Sequence, residues 1–219
     1  MHRTKAISFT LFLSFFLYNS TLYSQEDSVR YEKGFVFNNG IYKSFEDFKK
    51  NSPSISENAV IKENKPLRIL FGEVDEYLSY NTEGETIKLR KDSVWGYCDN
   101  NNIYVYFHNT YNQVFIKGAI FIINKTGTGG YSYGSGSLST NQGAMLYSHK
   151  DSDSQYLLEY KSGKIYKYNT DVLSSLIKDD KELYNKLNSI KKKKEKEKSI
   201  FMFVNEYNKR NPIYFPSTQ

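Results

Sequence analysis

The stretch VFIKGAIFII, Val114 to Ile123, is the most apolar segment of the chain outside its N-terminal run. It lacks polar alternation on either side of Gly118, which predicts a strand covered on both faces. Such a strand needs partners, and the flanking sequence supplies them. NIYVYFH (Asn102 to His108) sets Ile103, Val105 and Phe107 on one face and Tyr104, Tyr106 and His108 on the other. TIKLRK (Thr86 to Lys91) puts Ile87 and Leu89 on one side and Thr86, Lys88 and Arg90 on the other. LRILFG (Leu67 to Gly72), QYLLEYK (Gln155 to Lys161) and KIYKY (Lys164 to Tyr168) are further strand candidates, the last two joined by a turn at Ser162-Gly163. Ten apolar residues would also fit a tilted membrane strand. A membrane barrel, however, needs roughly eight or more strands with an outward apolar face, and the other candidates are too short and charged.

Two short helices interrupt the strands. In SFEDFKKNSP (Ser44 to Pro53), Ser44 stands three residues before Asp47, resembling a capping box, and Pro53 stops the helix. NTDVLSSLIKDD offers Asn169 or Thr170 as cap and Val172, Leu173, Leu176 and Ile177 as the buried face. Farther on, Leu183, Leu187 and Ile190 keep helical spacing. The same rhythm continues through Lys194 and Glu197, where the apolar side chains vanish, to Phe201, Val204 and Asn208. Either one helix crossing solvent or two helices with a break fits, and Asn211-Pro212 ends it.

The chain opens MHRTKAISFTLFLSFFLYNSTLYSQ, with Arg3 and Lys5 ahead of an apolar run from Ala6 to Tyr18. That is the pattern of a secretory signal peptide cut after Ser24. The run of about 13 residues falls short of the roughly 20 a membrane helix needs. The expected organisation is a signal peptide over residues 1–24, a β-rich domain over 25–177 and a basic helical tail over 178–219. No transmembrane segment is expected after cleavage, and the mature chain is placed in the periplasm or outside the cell. The formal charge is +6, and it sits in the tail: residues 178–219 hold 11 Lys or Arg against 6 Asp or Glu, whereas residues 25–177 hold 17 against 18. Cys98 is the only cysteine, so an intramolecular disulfide is excluded and a buried thiol is expected.

Chemistry is sparse. GYSYG (Gly130 to Gly134) spells G-x-S-x-G, yet the residues after Gly134 are poor helix formers, and no acid stands between Ser132 and His149, the one downstream histidine. A glycine-rich strand with Tyr131 and Tyr133 on one face is the better reading. Ser135 occupies the position where a phosphate loop needs lysine. His108, His149 and Cys98 show no zinc spacing, and DSDS (Asp151 to Ser154) lacks the glycine and closing glutamate of a calcium loop. No metal and no cofactor are expected. The run Lys191 to Lys194 is a solvated helix face or a contact for anionic surfaces, and export argues against nucleic acid.

Trp95, Tyr104, Tyr106 and His108 are the candidate ligand-binding residues, the tyrosine row reading either as a groove wall or as a second packed layer. The alternative is an enzyme site assembled from distant residues, His108 or His149 with a carboxylate such as Asp99 or Glu159. A third is a structural partner in an envelope assembly, with the tail as its contact. Several phrases, GIYKSFEDFKKNSPSI, WGYCDNNNIYV, SGKIYKYNTDVLSSLIKDDKELY and VNEYNKRNP, together resemble an uncharacterised family of small secreted proteins from Bacteroidetes-type bacteria, a domain of unknown function. The resemblance runs from about Gly40 to Pro212 and implies an extracytoplasmic location. It carries no catalytic residue across. The expected fold is α+β: a largely antiparallel sheet or open barrel, small capped helices and a C-terminal helical tail. The expected function is non-enzymatic binding or association with the cell envelope, with the partner left open between an envelope glycan and a protein.

Overall fold

The computed structural model describes residues 27–61, 66–72, 76–125 and 155–217. In chain order these form β1 (Ser28–Arg30), β2 (Gly40–Tyr42), α1 (Phe45–Lys49), β3 (Ile55–Ser56), α2 (Leu67–Gly72), β4 (Tyr77–Thr82), β5 (Glu85–Arg90) and β6 (Gly96–Asp99). There follow β7 (Asn102–Phe107), β8 (Thr110–Ile116), β9 (Ile120–Asn124), β10 (Gln155–Glu159), β11 (Ile165–Lys167), α3 (Thr170–Leu176), α4 (Lys181–Ser189), α5 (Lys193–Lys198), α6 (Ile200–Arg210) and β12 (Tyr214–Pro216). Eight strands make one open sheet in the order β11-β10-β9-β8-β7-β6-β2-β3, antiparallel throughout and not closed into a barrel. The β-rich α+β expectation holds.

Tight turns make this meander. Asn100-Asn101 between β6 and β7, and His108-Asn109 between β7 and β8, all have positive φ, from 50° to 64°. Glu83-Gly84 between β4 and β5 repeats the pattern at 50° and 84°. Two successive left-handed residues match the right-handed twist of the strands they join. Asn and His tolerate that region better than most side chains.

Both faces of the sheet are covered. On one, Phe37, Tyr42, Phe48, Phe121, Leu158 and Phe215 form an aromatic core closed by α1 and the β1–β12 ribbon. The Ser44–Asp47 capping box holds α1 in place, with bonds of 3.0 and 3.1 Å in the two directions. On the other face, helices α3, α4 and α6 pack Leu173, Leu187, Phe203 and Val204 onto Ile120, Ile122 and Leu157. Farther along that face, α2 and the β4–β5 hairpin cover Ile41, Tyr97 and Tyr111.

Three local expectations change. Leu67 to Gly72 is a helix, not a strand: the Pro66 carbonyl accepts from Ile69 and Leu70, and Leu67, Leu70 and Phe71 share one buried face while Ile69 is exposed. Val114 to Ile123 is not one strand; the chain turns back at residues 117–119, separating β8 from β9. Gly118 lies against α6, where a Cβ would come within 2.4 Å of Asn208 Cγ. The Asn208 carboxamide brackets Ile120 instead, accepting from its N–H and donating to its carbonyl, both at 2.8 Å. The β10–β11 turn is also longer than two residues, with Gly163 N–H bonding back to the Glu159 carbonyl. In the tail the break is real. α4 ends at Ser189, α5 starts at Lys193, and α6 starts after Ser199.

Candidate functional site

Register across the sheet builds one row on the helix-bearing face. Tyr97 lies opposite Tyr104, Tyr104 opposite Gln113, Gln113 opposite Asn124, and Asn124 opposite Gln155. At about 4.8 Å per strand the row spans roughly 19 Å. Its aromatic end is a near-parallel stack: Phe71 to Tyr97 at 4.2 Å and 5°, then Tyr97 to Tyr104 at 4.7 Å and 10°. Its other end is carboxamide. Gln113 Nε2 donates to Asn102 Oδ1 at 3.2 Å, and Gln155 Nε2 donates to Asn124 Oδ1 at 3.0 Å.

Tyr106 stands one step along β7 from Tyr104 on the same face, tilted against Tyr111 at 5.1 Å. Tyr111 is structural. It is buried, its hydroxyl donates to the Lys91 carbonyl, and burial pushes its pKa well above the phenolic range. Tyr104 and Tyr106 are half-buried. Each shows part of a ring, and Tyr104 stands directly opposite Gln113, a neutral amide that can both donate and accept.

The four sequence candidates do not converge. Tyr104 and Tyr106 share this face, but Trp95 packs in the opposite core, 4.7 Å from Phe48 and 5.3 Å from Phe45. His108 sits in the β7–β8 turn, exposed, with its ring 4.1 Å from Phe107 and 5.4 Å from Tyr156. Both neighbours belong to the aromatic-core face. The left-handed turn takes His108 out of the strand alternation that would have aligned it with the tyrosines.

The structure also separates His108 from the proposed carboxylates. Asp99 pairs with Asn102 at the far end of β7, six residues and about 20 Å away at about 3.4 Å per residue. Glu159 lies opposite Ile120 on the helix-bearing face and accepts from Ser162. Among the described residues His108 takes part in no hydrogen bond. His149, Ser132, Tyr131 and Tyr133 lie outside the described residues. Cys98 is fully buried, 3.5 Å from Asn39 Oδ1, and burial pushes its thiol up to about 12, so it is no thiolate at neutral pH. Among the described residues no group of three or more His, Cys, Asp and Glu could hold a metal ion.

Lys191 to Lys194 are all exposed. Lys192 pairs with Glu195 at 3.0 Å and Lys193 approaches Glu197 at 3.9 Å, so part of the positive charge is answered locally. No helix among the described residues is long and apolar enough to cross a membrane.

The model of a Family of unknown function (DUF6563) matches residues 40–211. The chain belongs to this family. The DUF6563 match starts at Gly40, the first residue of β2, and stops at Asn211, the cap of α6. It therefore contains the whole eight-stranded sheet and every helix among the described residues, and leaves out the β1–β12 ribbon whose Phe215 completes the aromatic core. No curated protein and no solved structure matches the chain.

The carboxamide half of the row was missed from sequence. Gln113, Asn124 and Gln155 come together only through strand register, which no local pattern reveals.

Proposed function

We propose that this DUF6563 protein is an exported, non-enzymatic binding module of the cell envelope, and that it takes a neutral glycan segment on the Tyr104–Gln113–Asn124–Gln155 row. Export rests on the Arg3 and Lys5 charges, the Ala6 to Tyr18 run and Ser24. The glycan reading rests on one observation, the in-register run from an aromatic stack into uncharged carboxamides. A ring face accepts the C–H side of a sugar, and a carboxamide matches a hydroxyl as both donor and acceptor. The basic tail would add a weak, salt-sensitive attraction to anionic surfaces through Lys191 and Lys194.

The test is a titration of the mature chain, residues 25–219, against soluble neutral glucans, mannans and peptidoglycan fragments. Tyr106→Ala and Gln113→Ala should each weaken binding about tenfold, equivalent to roughly 1.4 kcal/mol, with unchanged circular dichroism. Saturable binding that ignores both variants would exclude the row as the site. A lower melting temperature in both variants with no glycan binding by the parent would return Tyr106 to a packing role.

A further inference from the structure

A second place on the molecule has different chemistry. Where the β8–β9 turn meets α6 and the chain leaving β1, a cleft of about 410 Å³ opens, with Arg30, Lys117, Lys209, Asn205, Tyr31 and Glu32 among its lining residues. Three of these are cations drawn from positions 30, 117 and 209. Among the described residues none of the three forms an ion pair. Glu32 lines the same cleft and pairs with none of them. Elsewhere the α6 surface answers its charge: Arg210 meets Asp180, Glu182 and Glu206 at 3.3, 3.0 and 3.3 Å. The cleft is thus a local excess of positive charge, three cations against the single carboxylate of Glu32.

Lys117 is the informative member. It occupies the turn next to Gly118, half-buried, with its amine 6.0 Å from the centre of the Phe37 ring. Burial lowers its pKa, since desolvation disfavours the charged amine and no carboxylate offsets that cost. A desolvated, unpaired cation weakens the fold, and an anion entering the cleft would relieve it. Arg30 and Lys209 are exposed and extend the same charge to the rim, where they raise local anion concentration. Tyr31 supplies an apolar wall for whatever carries the anion. Its ring packs on Phe37 at 5.7 Å and its backbone is pinned by a 2.9 Å bond from Tyr31 N–H to the Ile213 carbonyl.

We propose that the cleft formed by Arg30, Lys117 and Lys209 binds the oxyanion group of a small ligand, a carboxylate, phosphate or sulfate. This site is separate from the tyrosine–carboxamide row and stands or falls independently of it. Lys117 makes the central contact, Arg30 and Lys209 close on the remaining oxygens, and Asn205 offers a neutral donor.

The experiment follows backbone amide shifts of the mature chain by NMR as inorganic phosphate, sulfate or glucuronate is added at constant ionic strength. The expected result is saturable, millimolar binding with the largest shifts at Lys117, Gly118 and Lys209. Lys117→Met should weaken it at least tenfold, and Arg30→Gln and Lys209→Gln severalfold each. Replacing Lys191 to Lys194 with glutamine should change nothing. Comparable affinity for all three probes assigns the site to the free oxyanion, whereas tighter glucuronate binding assigns it to a carrier resting on Tyr31; both support the cleft. In anion-free buffer Lys117→Met should melt at the same or a higher temperature than the parent. Absence of saturable shifts for every probe, shifts confined to residues 191–194, or undiminished binding by Arg30→Gln and Lys209→Gln would overturn the proposal.

Discussion

The contact between Gly118 and Asn208 invites a double-mutant cycle, because one side chain there does two jobs. Asn208 satisfies the N–H and the carbonyl of Ile120, a residue 1 % exposed, and it fills the space where a Cβ on Gly118 would stand. Asn208→Ala removes both bonds and leaves two backbone groups short of partners. Each costs about 1–3 kcal/mol, and partial access through the neighbouring cleft favours the lower half, so about 2–4 kcal/mol in total. Gly118→Ala reaches the same end by another route. Its Cβ at 2.4 Å from Asn208 Cγ must push the carboxamide off Ile120, so it too costs about 2–3 kcal/mol. In the Asn208→Ala background that obstacle is gone and Gly118→Ala should cost less than about 1 kcal/mol. Urea unfolding of the four proteins should therefore show non-additivity of about 2 kcal/mol. Additivity within about 0.5 kcal/mol would mean that the carboxamide neither holds β9 nor excludes a side chain at Gly118.

Three other outcomes follow from the same geometry. With its thiol pushed up to about 12, native Cys98 should carry only about one thiolate in ten thousand at pH 8 and resist thiol reagents until the chain unfolds; rapid labelling of folded protein would show the core to be open there. His108→Asn should leave stability within about 0.5 kcal/mol while His108→Val costs about 1–2 kcal/mol, since φ at this residue is 52°; equal losses in chemical denaturation would refute a turn role. Phe215 has ring neighbours at 4.9 Å in Phe35 and 5.3 Å in Phe37, so Phe215→Ala should cost about 3–5 kcal/mol. A 40–211 fragment, bounded as the family match is, should consequently melt far below a 25–219 chain, and an unchanged melting temperature would make the β1–β12 ribbon dispensable.

Local rules read well from this chain, and non-local ones did not. The Ser44–Asp47 box and the Asn169 cap are decided within four residues, and Asn169 does accept from the Val172 N–H at 2.8 Å. The alternation in Asn102 to Phe107 is likewise intrinsic to one strand. Leu67 to Gly72 failed because six residues with apolar positions at both spacings fit a strand and a helix, and the spacing of Leu67, Leu70 and Phe71 decides only once α2 is seen to bury them together. The turn at residues 117–119 was hidden because Gly118 is required by Asn208, ninety positions downstream, and not by its own neighbours. Both candidate sites share that obstacle. The carboxamide row depends on the register of β7 to β10, and the cationic cleft on residues 30, 117 and 209.

The central claim, a binding face built from Tyr104, Tyr106 and the adjoining carboxamides, is tested most directly by calorimetric titration of a 25–219 chain and its Tyr106→Ala variant with soluble envelope glycans. The account predicts saturable binding by the parent, weakened about tenfold in a variant that stays folded. Equal affinity of the two proteins for a bound glycan would contradict it.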